Sequence, residues 1–228
     1  MNAEDRFSLA VRDYFYLLVR NYPTKSILKL VGDKYSLPAF QRTMLYRGVC
    51  TLHQTKIRSE KKISALPERA QLHIDGFNVI RSVGSYLNGN YVFYGMDGWL
   101  RDVSELHRKK LSSNILEKAV VLVIDFLHQI KIKEVHFYFD SPISHSEYMA
   151  KLVNRTLKEK DLVGNAETLP APDHHLKEIL NGYICTGDSN IIEESKVQVF
   201  DLASAVLNTN FQPQLFSMEM FTPLVKDL

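Results

Sequence analysis

Aspartates stand at or just after the ends of three predicted β-strands, a position in which carboxylates can hold a metal ion. Asp75 ends the first of these strands, Asp140 directly follows the second, and Asp188 comes two residues after the third. Because the carboxyl ends of parallel strands meet at one edge of a sheet, we expect the three side chains to share one acidic pocket. Neighbouring carboxylates repel one another unless a cation neutralises them, and Mg²⁺ prefers oxygen ligands of this kind.

Each aspartate taken singly has a simpler interpretation, since Asp is common in turns and at helix starts. Their joint occurrence at successive strand ends favours a shared site over three separate turns. A fourth acid, Asp173, begins a predicted helix that leads into the last of these strands. The start of such a helix lies at the same edge of the sheet or at the opposite one, and the sequence leaves both positions open.

The elements that must position these side chains alternate between strand and helix after residue 70. The predicted strands are residues 72–75, 135–139, 183–186 and 197–200, with 92–94 a strand or an extended loop. Helices are predicted from about residue 98, over 115–130, from a capping box at Ser144 and Glu147, and over 174–180 with Asp173 as its cap. Strands separated by helices of this length predict an α/β fold with a mainly parallel sheet flanked by helices.

Residues 1–53 predict a small all-α domain with a basic surface. Pro23 and Pro38 separate three helical segments. A helix-turn-helix is one interpretation and a small bundle with a solvated basic face is the other. The basic side chains in these segments include Lys25, Lys29, Lys34, Arg42 and Arg47.

The polar segment 54–70 contains Pro67 and is the predicted linker, which leaves residues 71–228 as the second domain. The charge changes at the same place. Residues 1–66 hold 12 Lys and Arg against 5 Asp and Glu, whereas residues 67–228 hold 16 against 21. Such asymmetry favours an anionic partner for the basic part, although charge also varies across ordinary protein surfaces.

Composition and motifs exclude several classes of protein. The hydrophobic content of 45% and charged content of 24% are typical of a globular protein. No apolar run approaches the ~18 residues that a membrane span needs, and the first residues lack a signal-peptide pattern, so we expect a cytoplasmic protein with no membrane partner. Two cysteines cannot form a disulfide framework. Phosphate-binding glycine loops and zinc-binding histidine motifs are absent from the sequence.

Four segments together resemble the PIN-like nucleases, and specifically the NYN branch of that superfamily. Residues 73–80 (HIDGFNVI) resemble its opening strand and turn, and residues 135–140 (VHFYFD) resemble its second strand. Residues 171–173 (APD) and 185–191 (CTGDSNI) resemble its later acidic elements. Order and approximate spacing agree over residues ~71–202. With the basic helical N-terminus, the chain also resembles uncharacterised two-part prokaryotic proteins described as domains of unknown function.

The resemblance implies a PIN-like, Rossmannoid domain that hydrolyses phosphodiester bonds with Mg²⁺ or Mn²⁺. Asp75 and Asp188 would hold the principal ion, Asp140 and Asp173 would add coordination, and Asn78 would orient a water molecule or a phosphate oxygen. The expected partner is nucleic acid, with RNA favoured over DNA by the resemblance alone. The residues expected to contact nucleic acid are Ser141 and Ser144 at a strand-to-helix turn, and Lys29, Arg42, Lys61 and Lys62 in the basic part.

One departure from the PIN-like pattern keeps other functions open. Many PIN-like enzymes carry a carboxylate on the helix after the first strand, but the ~20 residues after Asn78 hold Asp97 as their nearest acid. An incomplete acidic set would leave a non-catalytic module that binds RNA or protein. A metal-dependent phosphohydrolase acting on a small phosphate ester is the third hypothesis.

Overall fold

The computed structural model describes residues 3–103, 111–141, 143 and 145–226, and these fall into two compact units. The unit that we call the helical unit is formed by residues 1–59, 90–110 and 214–228, and the sheet unit by residues 60–89 and 111–213. In chain order the elements are α1 (Ala3–Leu18), α2 (Thr24–Lys34), α3 (Ala39–Gly48), α4 (Leu52–Lys61), β1 (Lys62–Ile63), β2 (Gln71–Asp75), α5 (Gly76–Leu87), β3 (Val92–Tyr94), β4 (Leu100–Asp102), α6 (Ser113–Gln129), β5 (Glu134–Asp140), α7 (Ser146–Glu159), β6 (Gly164–Leu169), α8 (Pro172–Lys177), β7 (Tyr183–Cys185), α9 (Ser189–Glu194), β8 (Val199–Phe200), α10 (Leu202–Phe211), β9 (Phe216–Ser217), a 3₁₀ helix (Met218–Phe221) and α11 (Thr222–Val225).

The sheet unit contains a parallel sheet with the strand order β1-β8-β7-β2-β5-β6, flanked by helices. This confirms the predicted fold class: an α/β protein with a mainly parallel sheet and a helical N-terminal region. Side chains alternate between the two faces of a strand. One face carries fully buried apolar residues such as Leu72, Ile74, Phe137 and Phe139, and helices α5 and α7 pack on it.

The opposite face of β2 and β5 carries polar side chains, and the short helix α8 packs on it. His73 lies on this face beside Tyr138, with 3.0 Å between His73 Nδ1 and the Tyr138 hydroxyl oxygen. Asp75 follows His73 by two residues and Asp140 follows Tyr138 by two, so both aspartates point to this same polar side. The sheet therefore separates an apolar core from a polar surface on which the acidic residues lie.

Gly76 brings helix α5 close to the sheet immediately after Asp75. A Cβ atom at this position would lie 2.5 Å from the ring of Phe139 on β5, which is closer than any side chain tolerates. The absence of a side chain at Gly76 thus allows the chain to turn from β2 directly into α5, with Asp75 at the turn.

The helical unit has a core to which three separate stretches of the chain contribute. Phe7, Tyr14 and Leu45 of the first three helices are buried together with Phe93 and Met218. Strand β3 pairs antiparallel with β4 and parallel with β9. The helices of residues 1–53 are as predicted, but their core is completed by residues far away in the sequence.

The predicted linker and the helix predicted from about residue 98 differ from the structure. The segment predicted as a linker, residues 54–70, forms most of α4 and all of β1, which pairs with β8. The helix predicted from about residue 98 does not begin there, since residues 100–102 form strand β4, and residues 104–110 lie outside the described part of the chain. Residues 100–102 form a strand because they pair with β3, and the spacing of apolar residues in the sequence does not reveal that pairing.

Buried charges form a network inside the helical unit. The Asp97 carboxylate accepts hydrogen bonds from Arg58 at 2.6 Å and from Arg101 at 2.9 Å, and all three side chains are at most 6% exposed. Asp102 lies nearby in sequence and pairs with Arg47 at 3.1 Å. The two arginines hold the pKa of Asp97 below its usual range against the opposing effect of burial.

Among the described residues, none of the helices has the combination of length and apolar character needed to cross a membrane.

Candidate functional site at the acidic edge of the sheet

The carboxyl ends of β2, β5 and β7 place three of the predicted aspartates at one edge of the sheet. Asp75 is the last residue of β2 and is opposite Tyr138 on β5. Asp140 is the last residue of β5. On the other side of β2, Ile74 is opposite Cys185, so that Thr186 and Asp188 follow at the level of Asp75 and beyond. We call this group, with Asp173 of α8, the acidic edge.

Both carboxylate oxygens of Asp75 accept a hydrogen bond. Oδ1 accepts from the backbone N–H of Asn78 at 3.2 Å, which makes Asp75 the N-terminal cap of α5. Oδ2 accepts from the Thr186 hydroxyl at 2.9 Å. A side chain fixed at both oxygens has little rotational freedom, so the position of this carboxylate is determined by the fold.

The loop after β7 is bound to the start of α5 by two further contacts. The Thr186 hydroxyl oxygen accepts from the backbone N–H of Asp188 at 3.0 Å, and Asn78 Oδ1 accepts from the backbone N–H of Gly187 at 2.7 Å. Asn78 is predicted from sequence to orient a water molecule or phosphate. In the structure its carbonyl oxygen holds the loop that carries Asp188, which makes it a positioning residue.

Asp188 caps the following helix, as Asp75 does. Its Oδ1 accepts from the backbone N–H groups of Asn190 at 2.8 Å and Ile191 at 3.1 Å. The two aspartates thus occupy equivalent places, each at a strand end and each at the start of a short strand-to-helix connection. Because both residues cap the helix that follows a parallel strand, their carboxylates lie at the same edge of the sheet.

Asp140 and Asp173 complete the acidic edge. Oδ1 of Asp140 is buried and has no hydrogen-bond partner within the described part of the chain, which is costly for a carboxylate oxygen. Asp173 lies in the first turn of α8 and is exposed; the residue that precedes the helix is Ala171, so the predicted capping by Asp173 is not what the structure has. Burial and the charges of Asp188 and Asp140 raise the pKa of Asp173.

Burial raises the pKa of Asp75 to about 7, and the charges of Asp173 and Asp188 add to the effect, while the hydrogen bonds from Thr186 and Asn78 oppose it. The acids are therefore close enough that the negative charge of one disfavours ionisation of Asp75 or Asp173. A carboxylate in this position gains from a cation that restores its charged form.

The raised pKa predicts a pH-dependent effect of replacing Asp75 by Asn. Because the folded protein holds this proton more tightly than the unfolded chain does, the stability it contributes is fully present below the usual value of 3.8 and is lost as the pH rises through about 7. Asn stays neutral and keeps an acceptor for the cap. Without divalent metal, we expect Asp75→Asn to raise the melting temperature relative to wild type at about pH 8, with the gain shrinking toward about pH 4.

Scanning calorimetry in metal-free buffer across this pH range measures the effect. A difference in melting temperature between variant and wild type that stays constant with pH would contradict the raised pKa of Asp75.

Ser141, one of the two serines predicted to bind phosphate, directly follows Asp140 of the acidic edge. The backbone N–H of Ser141 donates to the carbonyl of Leu169, and its own carbonyl accepts from the Ser146 hydroxyl at 3.4 Å. Ser144 and its predicted capping box lie outside the described residues. Helix α7 is preceded by His145 in the left-handed region, at φ 72°.

The basic residues predicted to contact nucleic acid differ in their surroundings. Lys61 donates to the Ser195 carbonyl at 2.6 Å, and Lys62 lies 3.9 Å from Asp201. Arg42 binds Asp33 at 2.8 Å and the Leu37 carbonyl at 2.9 Å. Lys29 is exposed on α2. Three of the four side chains thus have intramolecular partners.

Thr186 has a positioning role at the acidic edge that its place in the sequence motif does not reveal. Its hydroxyl links Asp75 to the backbone of Asp188. The signal available in the sequence was a hydroxyl residue two positions before a strand-end aspartate. Its burial at 1% exposure explains why the hydroxyl needs these two partners.

The residues at the acidic edge fit a hydrated hard cation. No three side chains of the Asp, Glu, His or Cys type surround one ion-sized position within residues 3–103, 111–141, 143 and 145–226. Mg²⁺, however, is usually held by one or two carboxylates while it keeps several water molecules. The unpartnered Oδ1 of Asp140 and the raised pKa values of Asp75 and Asp173 are what such an ion would relieve.

Comparisons with known proteins agree with the division of the chain at about residue 60. Residues 65–205 match the family described as "Domain of unknown function (DUF5616)", and residues 6–61 match the family described as "Protein of unknown function (DUF434)". The chain is also similar to "Uncharacterized protein MJ0935" of Methanocaldococcus jannaschii, with 28% identity over 201 residues, which cover 87% of this chain and 95% of that relative. No solved structure matches.

Proposed function

The chain belongs to the family described as a domain of unknown function (DUF5616), and we propose that it is a metal-dependent nuclease that uses the acidic edge to hydrolyse phosphodiester bonds. The observation that carries this proposal is the gathering of Asp75, Asp140 and Asp188 at or just after strand ends with Asp173 of α8 beside them, where burial and neighbouring carboxylates raise the pKa values of Asp75 and Asp173. The resemblance of the surrounding segments to PIN-like nucleases of the NYN type supports the same chemistry.

Asp75 and Asp188 are the residues proposed to hold Mg²⁺ or Mn²⁺, with Asp140 and Asp173 contributing directly or through water. A divalent ion bound there would lower the pKa of a water molecule and neutralise charge on the phosphate. The chain itself supplies orientation. Thr186 fixes Asp75, and Asn78 fixes the loop that places Asp188.

Single-stranded or structured RNA is the preferred substrate class by resemblance, and an anionic polymer also fits the charge distribution. The acidic edge repels phosphate until a cation is bound, so another surface has to attract the backbone. The helical unit holds 15 Lys and Arg against 9 Asp and Glu, whereas the sheet unit holds 13 against 17. The excess of basic residues in the helical unit suits that role.

A labelled oligonucleotide tests the proposal directly. We expect the full chain to cut labelled single-stranded RNA when Mn²⁺ or Mg²⁺ is added, because the ion supplies both the nucleophile and charge neutralisation. Excess chelator should abolish cutting, and re-addition of metal should restore it. DNA of the same sequence, run in parallel, measures the preference between the two polymers.

Cleavage that is unaffected by the chelator would contradict the metal-dependent mechanism. Hydrolysis of a small ester such as p-nitrophenyl phosphate, with both oligonucleotides left intact, would contradict the nuclease proposal. It would indicate a small-molecule phosphohydrolase.

A binding module without catalysis is the second candidate, and one observation favours it. Helix α5, which follows β2, carries no Asp or Glu, although many PIN-like nucleases have an acid on the corresponding helix. Metal-dependent binding of RNA that remains uncut over a day would select this candidate.

A further inference from the structure

The helical unit contains a pocket whose walls are largely aromatic. Its volume is about 480 Å³, and it is lined by five aromatic side chains, two methionines (Met44 and Met220) and the polar residues Asp5, Ser8 and Gln41. Pockets of roughly 300–1,000 Å³ with apolar walls and a few polar groups are typical of small-molecule and cofactor sites. The aromatic residues are Phe7, Phe40, Tyr91, Phe216 and Phe221.

Two of these rings form a parallel stack at the pocket. The centroids of Phe40 and Tyr91 are 5.0 Å apart, with an angle of 10° between the ring planes. Tyr91 is 60% exposed, and Phe40 is only half-buried. A parallel stack with an exposed outer ring leaves an aromatic face available to a third planar ring.

The other aromatic residues of the pocket are arranged differently. Phe7, Phe216 and Phe221 pack against one another with centroid separations of 5.8 to 6.4 Å and tilted or edge-on rings. Phe7 and Phe221 are buried, whereas Phe216 is 42% exposed. This cluster gives the pocket an aromatic floor with one exposed ring, so that a flat ligand meets aromatic surface on more than one side.

The polar groups and the charge of the unit narrow the choice of ligand. Gln41 and Asp5 provide hydrogen-bonding atoms at the pocket lining, which suit the polar edges of a heterocycle. The unit has an excess of six basic over acidic residues, which suits phosphate. A planar ring with polar edges that is attached to phosphate is a nucleotide, and bases stack on aromatic side chains without regard to sequence.

We propose that this pocket binds an unpaired base of a single-stranded nucleic acid. The inference rests on the proposed function, because it names the strand state of that substrate and the part of the chain that recognises it. A free mononucleotide would offer the same ring, but the basic excess of the unit fits a polymer with several phosphates better than a single nucleotide.

Fluorescence anisotropy in excess chelator tests the pocket without any cutting. The probes are a labelled adenylate strand of about ten nucleotides, a strand of equal length without bases, and the same adenylate strand in a duplex. We expect the full chain to prefer the unpaired strand and Tyr91→Leu to weaken that binding by roughly 5- to 150-fold, equivalent to about 1–3 kcal/mol of stacking per base. Binding of the strand without bases should not change.

Two further variants control the experiment. Phe216→Leu alters a second exposed ring of the same pocket and should also weaken binding of the unpaired strand. Tyr22→Leu alters a tyrosine of the helical unit that is 55% exposed and does not line the pocket, and it should leave binding unchanged.

Several outcomes would overturn the inference: equal affinity for strands with and without bases, no effect of Tyr91→Leu and Phe216→Leu, or adenosine monophosphate binding as tightly as the strand. The cleavage assay is independent of these readouts. Base-dependent binding without metal-dependent cutting would contradict the proposed nuclease activity and support the base-binding pocket. Cutting of RNA by a protein whose binding is unchanged in both pocket variants would contradict the base-binding pocket and support the nuclease activity.

Discussion

Replacing Asp75 or Asp188 by Asn is expected to slow metal-dependent cleavage of labelled RNA by about 10²–10⁴-fold, since a metal ion contributes several kcal/mol to such a reaction and each 1.36 kcal/mol is a factor of ten in rate. Asn keeps the shape of the side chain and one acceptor oxygen for the helix cap. At Asp75 its NH2 group also replaces the oxygen that accepts from the Thr186 hydroxyl, so this variant loses that hydrogen bond together with the charge. Because both residues are proposed to hold one ion, the double variant should be hardly slower than either single variant.

Asp201 provides a matched control for these two replacements. It also follows a strand of the same sheet, and it caps α10 by accepting from the Ser204 backbone N–H at 3.1 Å. We expect Asp201→Asn to cut RNA at a rate close to that of wild type. Single-turnover rates under saturating Mn²⁺ are measured for wild type, the three single variants and the double variant, with circular dichroism to verify folding. If wild type and the Asp75 and Asp188 variants cut equally, the acidic edge is not the catalytic site.

Asp97→Asn is expected to destabilise the helical unit by about 3–5 kcal/mol, the usual cost of removing one partner from a buried ion pair. Arg58 and Arg101 both donate to the Asp97 carboxylate, and their side chains are 6% and 2% exposed. Without the negative charge, two buried guanidinium groups lose their shared counter-ion, and water cannot compensate for it.

Urea denaturation followed by tryptophan fluorescence measures the free energy of unfolding of the helical unit. Trp99 is the one tryptophan of the sequence, is fully buried, and donates its backbone N–H to Asp97 at 3.2 Å. Asp33→Asn removes an exposed partner of Arg42 and should cost no more than about 1 kcal/mol. A loss for Asp97→Asn as small as that for Asp33→Asn would show that the network does not stabilise the fold.

The strands that position the acidic edge were predictable because their sequences carry a strong local signal. The strands at residues 72–75, 135–139 and 183–186 are rich in apolar residues and end at polar ones, and the structure has β2, β5 and β7 there. Parallel pairing then required the strand ends to lie together. That inference used general rules of sheet topology, and it placed Asp75, Asp140 and Asp188 at one edge correctly.

Strand β6 was not predicted because its sequence, GNAETL, has the composition of a loop. It is an outer strand of the sheet, with exposed polar side chains such as Asn165 and Glu167. Its position is determined by pairing with β5 and by Asn154 of α7, which exchanges hydrogen bonds with the backbone of Ala166. Such partners are distant in sequence and leave no local pattern.

The site itself was predictable in composition but not in internal detail. Residue type and position identified the four acids, while the roles of Thr186 and Asn78 depend on contacts across 111 and 109 residues. The same limit applied to Asp97, whose spacing of four residues from Arg101 is typical of a helix. In the structure that pair lies next to a strand and is completed by Arg58, 39 residues away.

The interrupted path of the chain through the helical unit has a consequence for synthesis on the ribosome. Strand β3 at residues 92–94 cannot pair with β9 until residues 216–217 have been synthesised. Buried Met218 likewise belongs to the same core as Phe7. At about 5–20 residues per second, the intervening stretch of about 120 residues takes roughly 6–25 s to emerge. During that time the N-terminal helices hold an unfinished core with exposed apolar surface. The helices that precede the sheet unit in the chain are thus completed only after it, and they are candidates for chaperone binding until β9 has been made.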